Sequence, residues 1–152
     1  MDNCGYLWEI VDMFLGEYYY NLDVKDRIAI PVSFRKKLGS RGVITRGIDN
    51  CLFLFPKEEW RKLVKKILTL PISQPNSRAF MRLMFAGAKE VEIDSLGRIL
   101  IPDYLKKFAK LKKEVVICGL FSRIEIWDKT NWERYKRETE KESQKIAQTL
   151  EI

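Results

Sequence analysis

Gly16–Leu38, GEYYYNLDVKDRIAIPVSFRKKL, and Gly87–Ala109, GAKEVEIDSLGRILIPDYLKKFA, carry one pattern written twice, 71 residues apart. Seven of the 23 positions are identical: Gly16/Gly87, Asp23/Asp94, Arg27/Arg98, Ile28/Ile99, Ile30/Ile101, Pro31/Pro102 and Lys36/Lys107. The likeness continues with one inserted residue, matching Val43-Ile44 to Val115-Val116, Gly47 to Gly119 and Trp60 to Trp132. Each copy is one supersecondary unit, too small to bury its apolar face alone, so the two halves are expected to pack as a pseudo-symmetric pair.

Periodicity fills in the units. Val91 and Ile93 alternate with Glu90 and Glu92 as a half-buried strand. Ile99 and Ile101 alternate after Asp94-Ser95-Leu96-Gly97, which predicts strand, turn, strand, a hairpin. Pro31 and Pro102 end these strands and open short basic helices through Arg35-Lys36-Lys37 and Lys106-Lys107. Val115–Leu120 reads as a buried strand, and Ile124 and Ile126 alternate in another.

Helices follow in both halves. Pro56 at a first helical position, with Glu58 and Glu59 behind it, predicts a helix to about Leu68 whose Trp60, Leu63, Val64 and Ile67 share one face. Pro71 and Pro75 bound a linker, and Ser77 starts a shorter helix with Phe80, Leu83 and Met84 inward, ended by Gly87. In the second half Thr130 and Glu133 form a capping box for a helix running past Trp132 and Tyr135. Its distal part has few apolar residues beyond Ile146 and Leu150, so it is either solvated or covered by a neighbouring subunit.

Composition narrows the function. The 152 residues hold 46% hydrophobic and 32% charged residues, enough for a buried core, at a net charge of +7. The first twelve carry Asp2, Glu9 and Asp12 and no base, so the charge from Met13 onward is +10. That excess favours a polyanionic partner. There is no histidine, which removes Ser-His and Cys-His nucleophile pairs and the commonest metal ligand. Cys4, Cys51 and Cys118 are odd in number and far apart, without a C-x-x-C pair, and read as reduced thiols of a cytosolic protein. No metal, cofactor, signal peptide or membrane span is expected.

The most specific feature is the doubled D-x-x-x-R-I-x-I-P, at Asp23–Pro31 and Asp94–Pro102. It ties an arginine to the tip of each half, where Gly97 eases a tight turn. An arginine so placed can contact guanine or phosphate bidentately while the aspartate orients its fork. The plainer reading is an exposed ion pair that staples the loop. Lys25 and the basic runs containing Arg35, Lys36, Lys106 and Lys107 either track phosphates or are solvated faces. Trp60 and Trp132 read as core, not as base-stacking platforms. A nuclease using Asp23, Asp94 and a metal is disfavoured because the carboxylates sit in separate repeats.

MFLGEYYYNLD, RIAIP, GRILIP, VITRGIDNCLFLFPKEEW, RAFMRLMFAGA and RIEIWDKTNWERY together resemble the MraZ family of bacterial transcriptional regulators, related to the AbrB-like swapped-hairpin DNA-binding proteins. The resemblance spans Met13 to about Ile146. It implies an α+β fold of two pseudo-symmetric AbrB-like swapped-hairpin β-barrel halves with flanking helices. The corresponding division is an extension at 1–12, a first repeat at 13–62, connecting helices at 63–86, a second repeat at 87–130 and a C-terminal helix at 131–152. It further implies a cytoplasmic, nucleoid-associated repressor that forms a ring-shaped, octamer-like homo-oligomer. Such a ring binds direct repeats in the double-stranded promoter DNA of the division and cell wall gene cluster. The family's DNA-contacting motif falls on Asp23, Arg27, Asp94 and Arg98, and the enzyme class is excluded.

Two departures are visible. The first turn has Asp26 where the second has Gly97, adding a negative charge beside Arg27 and a side chain where positive φ is favoured. Residues 1–12 precede the family's MF opening and are expected to be a disordered extension outside the fold, either from an upstream start codon or added in cloning. A structural or protein-binding ring without DNA binding is the competing reading. Single-stranded nucleic acid or RNA has no aromatic-rich sheet motif in its favour.

Overall fold

A computed structural model describes residues 13–152; the expectations for residues 1–12 and for Cys4 lie outside the described residues. The order is β1 (Phe14–Asn21), β2 (Arg27–Ala29), α1 (Val32–Leu38), β3 (Arg41–Arg46), β4 (Leu52–Pro56), α2 (Lys57–Leu68) and α3 (Pro75–Ala86). Then come β5 (Lys89–Glu92), β6 (Arg98–Leu100), α4 (Asp103–Phe108), β7 (Glu114–Phe121), β8 (Ile124–Asp128), α5 (Lys129–Lys141) and α6 (Ser143–Thr149).

The strands on either side of each D-x-x-x-R turn do not pair with each other, which corrects the hairpin reading. The six-stranded sheet runs β1-β7-β8-β4-β3-β5, and β2 pairs with β6 in a separate two-stranded ribbon. Four ladders, β1–β7, β2–β6, β3–β5 and β4–β8, join one half to the other. Only β3–β4 and β7–β8 stay within a half. Each five-residue turn, 22–26 or 93–97, leaves the strand before it in the six-stranded sheet and delivers the strand after it to the ribbon. Each strand then finds its ladder partner in the duplicate.

A pseudo-dyad passes through two antiparallel pairs, Ile28↔Ile99 and Phe53↔Glu125. About it, β3 and β7 correspond at an offset of 73, because Tyr20↔Val115 matches Val91↔Gly42. Val43-Ile44 therefore corresponds to Val116-Ile117, and Arg46 rather than Gly47 to Gly119. The single inserted residue read from the sequence is the net of two changes. Leu111-Lys112 is added between Lys110 and Lys113, and the β7–β8 turn is one residue shorter than the β3–β4 turn.

Strand alternation sends Leu52, Leu54, Ile117, Ile124 and Ile126 to one face, where they pack with Ile28, Ile99, Phe34 and Leu105. Phe53, Phe55, Val116, Cys118 and Trp127 point to the other face, against Ile67, Met84, Trp60 and Trp132. With both faces covered, every residue of β4 and β8 is buried. Trp60 and Trp132 are half-buried and pack on this second cluster, 5.8 Å from Phe55 and 5.3 Å from Trp127 between ring centroids, as the core reading expects.

Three helix starts differ from expectation. Pro56 is the N-cap of α2, not its first residue, because it still belongs to β4. Helix α3 opens two residues before Ser77, with Pro75 itself in the first turn, where a missing N–H costs nothing. Asp128, rather than Thr130, caps α5: its carboxylate accepts from Asn131 N at 3.2 Å. The C-terminal helix is two helices broken at Glu142, and neither α5 nor α6 contains a buried residue.

Gly119 lies opposite Gly16 in the β1–β7 ladder, and a Cβ there would collide with the backbone of Phe14 and Leu15. Gly119→Ala should therefore push β1 off β7 and cost roughly 1–3 kcal/mol. A urea midpoint equal to that of the unsubstituted protein, with β1 amides still protected from exchange, would show that β1 tolerates the methyl group.

Candidate nucleic-acid interface

Each arginine turn is built by its aspartate. Asp23 Oδ1 accepts from the backbone N–H of Lys25 and of Arg27, both at 2.9 Å, while Oδ2 accepts from Arg27 Nε at 2.8 Å. In the second half Asp94 Oδ1 accepts from Leu96 N and Arg98 N at 2.9 Å, and Oδ2 from Arg98 Nε at 2.9 Å. The main chain closes both turns alike, Asp23 N to Arg27 O at 3.0 Å and Asp94 N to Arg98 O at 2.9 Å. Aspartate suits this position because its short carboxylate reaches amides two and four residues on.

The backbone amide of the motif arginine is the chief cause that lowers the pKa of Asp23 and of Asp94, aided by the guanidinium. Both carboxylates are consequently ionised throughout the neutral range. The clamp occupies Nε and leaves the Nη fork: Arg27 makes no hydrogen bond through its Nη atoms among the described residues. Arg98 Nη1 lies 3.6 Å from Asp23 Oδ2, so the two turns are neighbours. Their arginine side chains are 31% and 27% exposed, partly open to an incoming group.

The β2–β6 ribbon places the turns together. Arg27 faces Leu100 and Arg98 faces Ala29 across the ladder. Beyond its ends, Ile30 N donates to Gly97 O at 2.8 Å and Ile101 N to Asp26 O at 2.9 Å, so each turn is bonded to the strand of the other half. Two exposed apolar side chains at the tips, Val24 and Leu96, escaped the sequence reading. Their signal was an apolar residue inside a polar turn.

The residue before each arginine takes positive φ, +59° at Asp26 and +77° at Gly97. Asp26 accepts this, and its carboxylate turns to Lys106 Nζ at 2.8 Å. Of the remaining basic candidates, Lys25, Lys36 and Lys107 are exposed, Lys107 pairing with Asp103 at 3.0 Å. Arg35 Nε donates to Ile30 O at 2.9 Å.

Other chemistry is poorly served. Among the described residues no group of three or more His, Cys, Asp or Glu could hold a metal ion, and no helix is long and apolar enough to cross a membrane. Burial pushes the Cys118 thiol up to about 12 and the Cys51 thiol upward as well, so both stay protonated.

Fold and turns together define an internally duplicated α+β protein with two aspartate-clamped arginine turns on one shared ribbon. The family model described as MraZ protein, antitoxin-like, matches residues 13–83 and again 84–151. A Halothermothrix orenii relative is 50% identical over 139 residues, 91% of this chain and 97% of its own. Relatives from Acetivibrio thermocellus, 46% identical with 91% of this chain and 96% of its own covered, and Desulforamulus reducens, 44% identical with 91% and 97% covered, are equally complete matches. All three bear the name Transcriptional regulator MraZ. The chain belongs to the MraZ family.

Asp94→Asn should keep the Leu96 and Arg98 amides protected while releasing the arginine fork, and Asp94→Ala should expose both amides to exchange. Equal exchange in the two variants would refute the two-part clamp. With the folded pKa depressed, the clamp's contribution is complete above the ordinary carboxylate value of 3.8 and lost only as pH falls below it. Exchange protection of the Leu96 and Arg98 amides should therefore be level from pH 8 to about pH 5 once corrected for intrinsic rates.

Proposed function

We propose that the protein is a sequence-specific regulator of transcription that binds double-stranded promoter DNA and performs no catalysis. Arg27 and Arg98 read base edges, Asp23 and Asp94 orient them, and Lys25, Lys36 and Lys107 meet the phosphate backbone. The observation that carries this reading is the pair of matching turns whose aspartates bind Nε, leaving both Nη atoms of Arg27 and Nη2 of Arg98 for a ligand while Arg98 Nη1 lies 3.6 Å from Asp23 Oδ2. The names of the relatives and the +7 net charge support it independently.

The finer picture follows the family resemblance. The exchanged strands are of the AbrB-like swapped-hairpin kind. Copies of the chain form a ring, octamer-like, in the cytoplasm at the nucleoid, and repress the division and cell wall gene cluster through direct repeats in its promoter. The exposed α5–α6 arm, with Ile146 and Leu150 open, supplies surface for contacts between copies. One turn pair offers modest affinity, and several on one promoter convert later contacts into intramolecular ones.

Fluorescence anisotropy with the DNA upstream of this gene tests the reading. Arg98→Ala should cost about 1–3 kcal/mol for each lost base contact, a factor of roughly 5 to 150, and relax sequence preference. Undiminished promoter binding by the Arg27→Ala/Arg98→Ala protein would remove these arginines from recognition. The free protein should sediment at several times the mass of one chain.

A further inference from the structure

Arg35 and Lys106 stand at the same place in the two copies, 71 residues apart, as do Asp26 and Gly97. The structure joins them crosswise. Lys106 of the second half reaches Asp26 in the first turn at 2.8 Å, a pair about one-third exposed at each end. Arg35 of the first half lies on Gly97 in the second turn so closely that a Cβ there would fall inside its guanidinium. That guanidinium donates to Ile30 O at 2.9 Å, and the Ile30 N–H in turn donates to Gly97 O at 2.8 Å. A short cation with a carboxylate partner holds one turn. A long planar cation over a bare glycine holds the other.

We propose that Lys106 and Arg35 are positioning residues, each bracing the arginine turn of the opposite half, and that neither is a phosphate contact. The proposal extends the DNA-binding reading above, because it says what aims Arg27 and Arg98. Both braces act on the positive-φ residue immediately before the arginine, so a shift there swings the guanidinium directly. The two chemistries are matched solutions to one problem. Where the turn keeps a side chain, the brace is an ion pair; where the side chain is missing, the guanidinium fills the space and finds a carbonyl. Asp26 is thereby a structural partner of Lys106 instead of an unpaired charge beside Arg27.

Amide exchange on the DNA-free protein tests the crossing without reference to DNA. Lys106→Met, which keeps the aliphatic stem, should speed exchange of the Lys25 and Arg27 amides and leave those of Leu96 and Arg98 unchanged. Arg35→Ala should do the reverse, and Gly97→Ala should act like Arg35→Ala. The Asp26→Gly/Lys106→Arg protein, which builds the second brace into the first turn, should restore Lys25 and Arg27 protection. In salt titrations of promoter binding, Lys106→Met should weaken affinity roughly two- to fivefold. The slope of log K against log salt should stay as it was. Loosening of the variant's own-half turn, or of neither turn, overturns the brace. A slope reduced by about one identifies Lys106 as a phosphate contact and equally overturns it. Absence of promoter binding by the unsubstituted protein would sink the DNA reading, and undiminished binding by Arg27→Ala and Arg98→Ala would remove these arginines from it; either outcome leaves the exchange result intact.

Discussion

The structure turns on the pairing of two three-residue strands, β2 and β6, about the buried pair Ile28 and Ile99. A ladder this short has little strength of its own. It persists because both isoleucines reach the core shared by the long sheet, and because bonds beyond each end tie Ile30 to Gly97 and Ile101 to Asp26. Neither half can make this ribbon alone, so folding, duplication and the placing of the arginines are one event. Were the strands to fold back within their own halves, the two turns would separate and Arg98 would lose its place beside Asp23.

Of the two pairs on the dyad, Ile28 with Ile99 is kept in both halves and the other has diverged. On the dyad Phe53 faces Glu125, so an aromatic ring and a buried carboxylate occupy equivalent positions. A lone buried carboxylate would be costly. Here it accepts from Arg123 at 2.8 and 3.1 Å and from Trp127 Nε1 at 3.0 Å, and the same guanidinium lies 4.6 Å from the Phe53 ring centroid. One arginine thus serves both unlike partners. A self-pairing of two copies of either half would place Phe53 on Phe53 or Glu125 on Glu125, and the second would bury two like charges. The divergence favours the joining of unlike halves.

Much of this was legible in the chain. Two copies of D-x-x-x-R-I-x-I-P located both turns and matched Ile28 to Ile99, and alternation identified Ile99, Ile101 and Val91 as inward positions. Strand partners were not legible, because alternation says which face a residue takes and is silent on its neighbour across the ladder. Met13-Phe14-Leu15-Gly16 and Met84-Phe85-Ala86-Gly87 show how far tertiary context overrides local pattern. The first tetrad enters β1, with Phe14 5.2 Å from Phe34, and the second ends α3, with Phe85 6.1 Å from Trp60. Thr130 and Glu133 satisfied a capping rule, yet Asp128, at the end of β8, was already positioned to cap. The crosswise contacts of Arg35 and Lys106 are invisible without knowing that the halves exchange strands.

An arginine already held by its Nε suits a reader of weak, repeated sites. A free arginine side chain loses about 2 kcal/mol of rotamer entropy on fixing, and a clamp made on folding settles most of that before a ligand arrives. The clamp also has an electrostatic consequence. Each tip carries an aspartate beside its arginine, so it is close to neutral and gains little from phosphate as such. On the proposed reading, non-specific attraction then comes from the dispersed lysines and is paid back equally at every sequence, while the neutral tips contribute only where hydrogen-bond geometry fits. Adding copies of such a chain along a promoter multiplies the discriminating part faster than the indiscriminate one, since salt screens the latter.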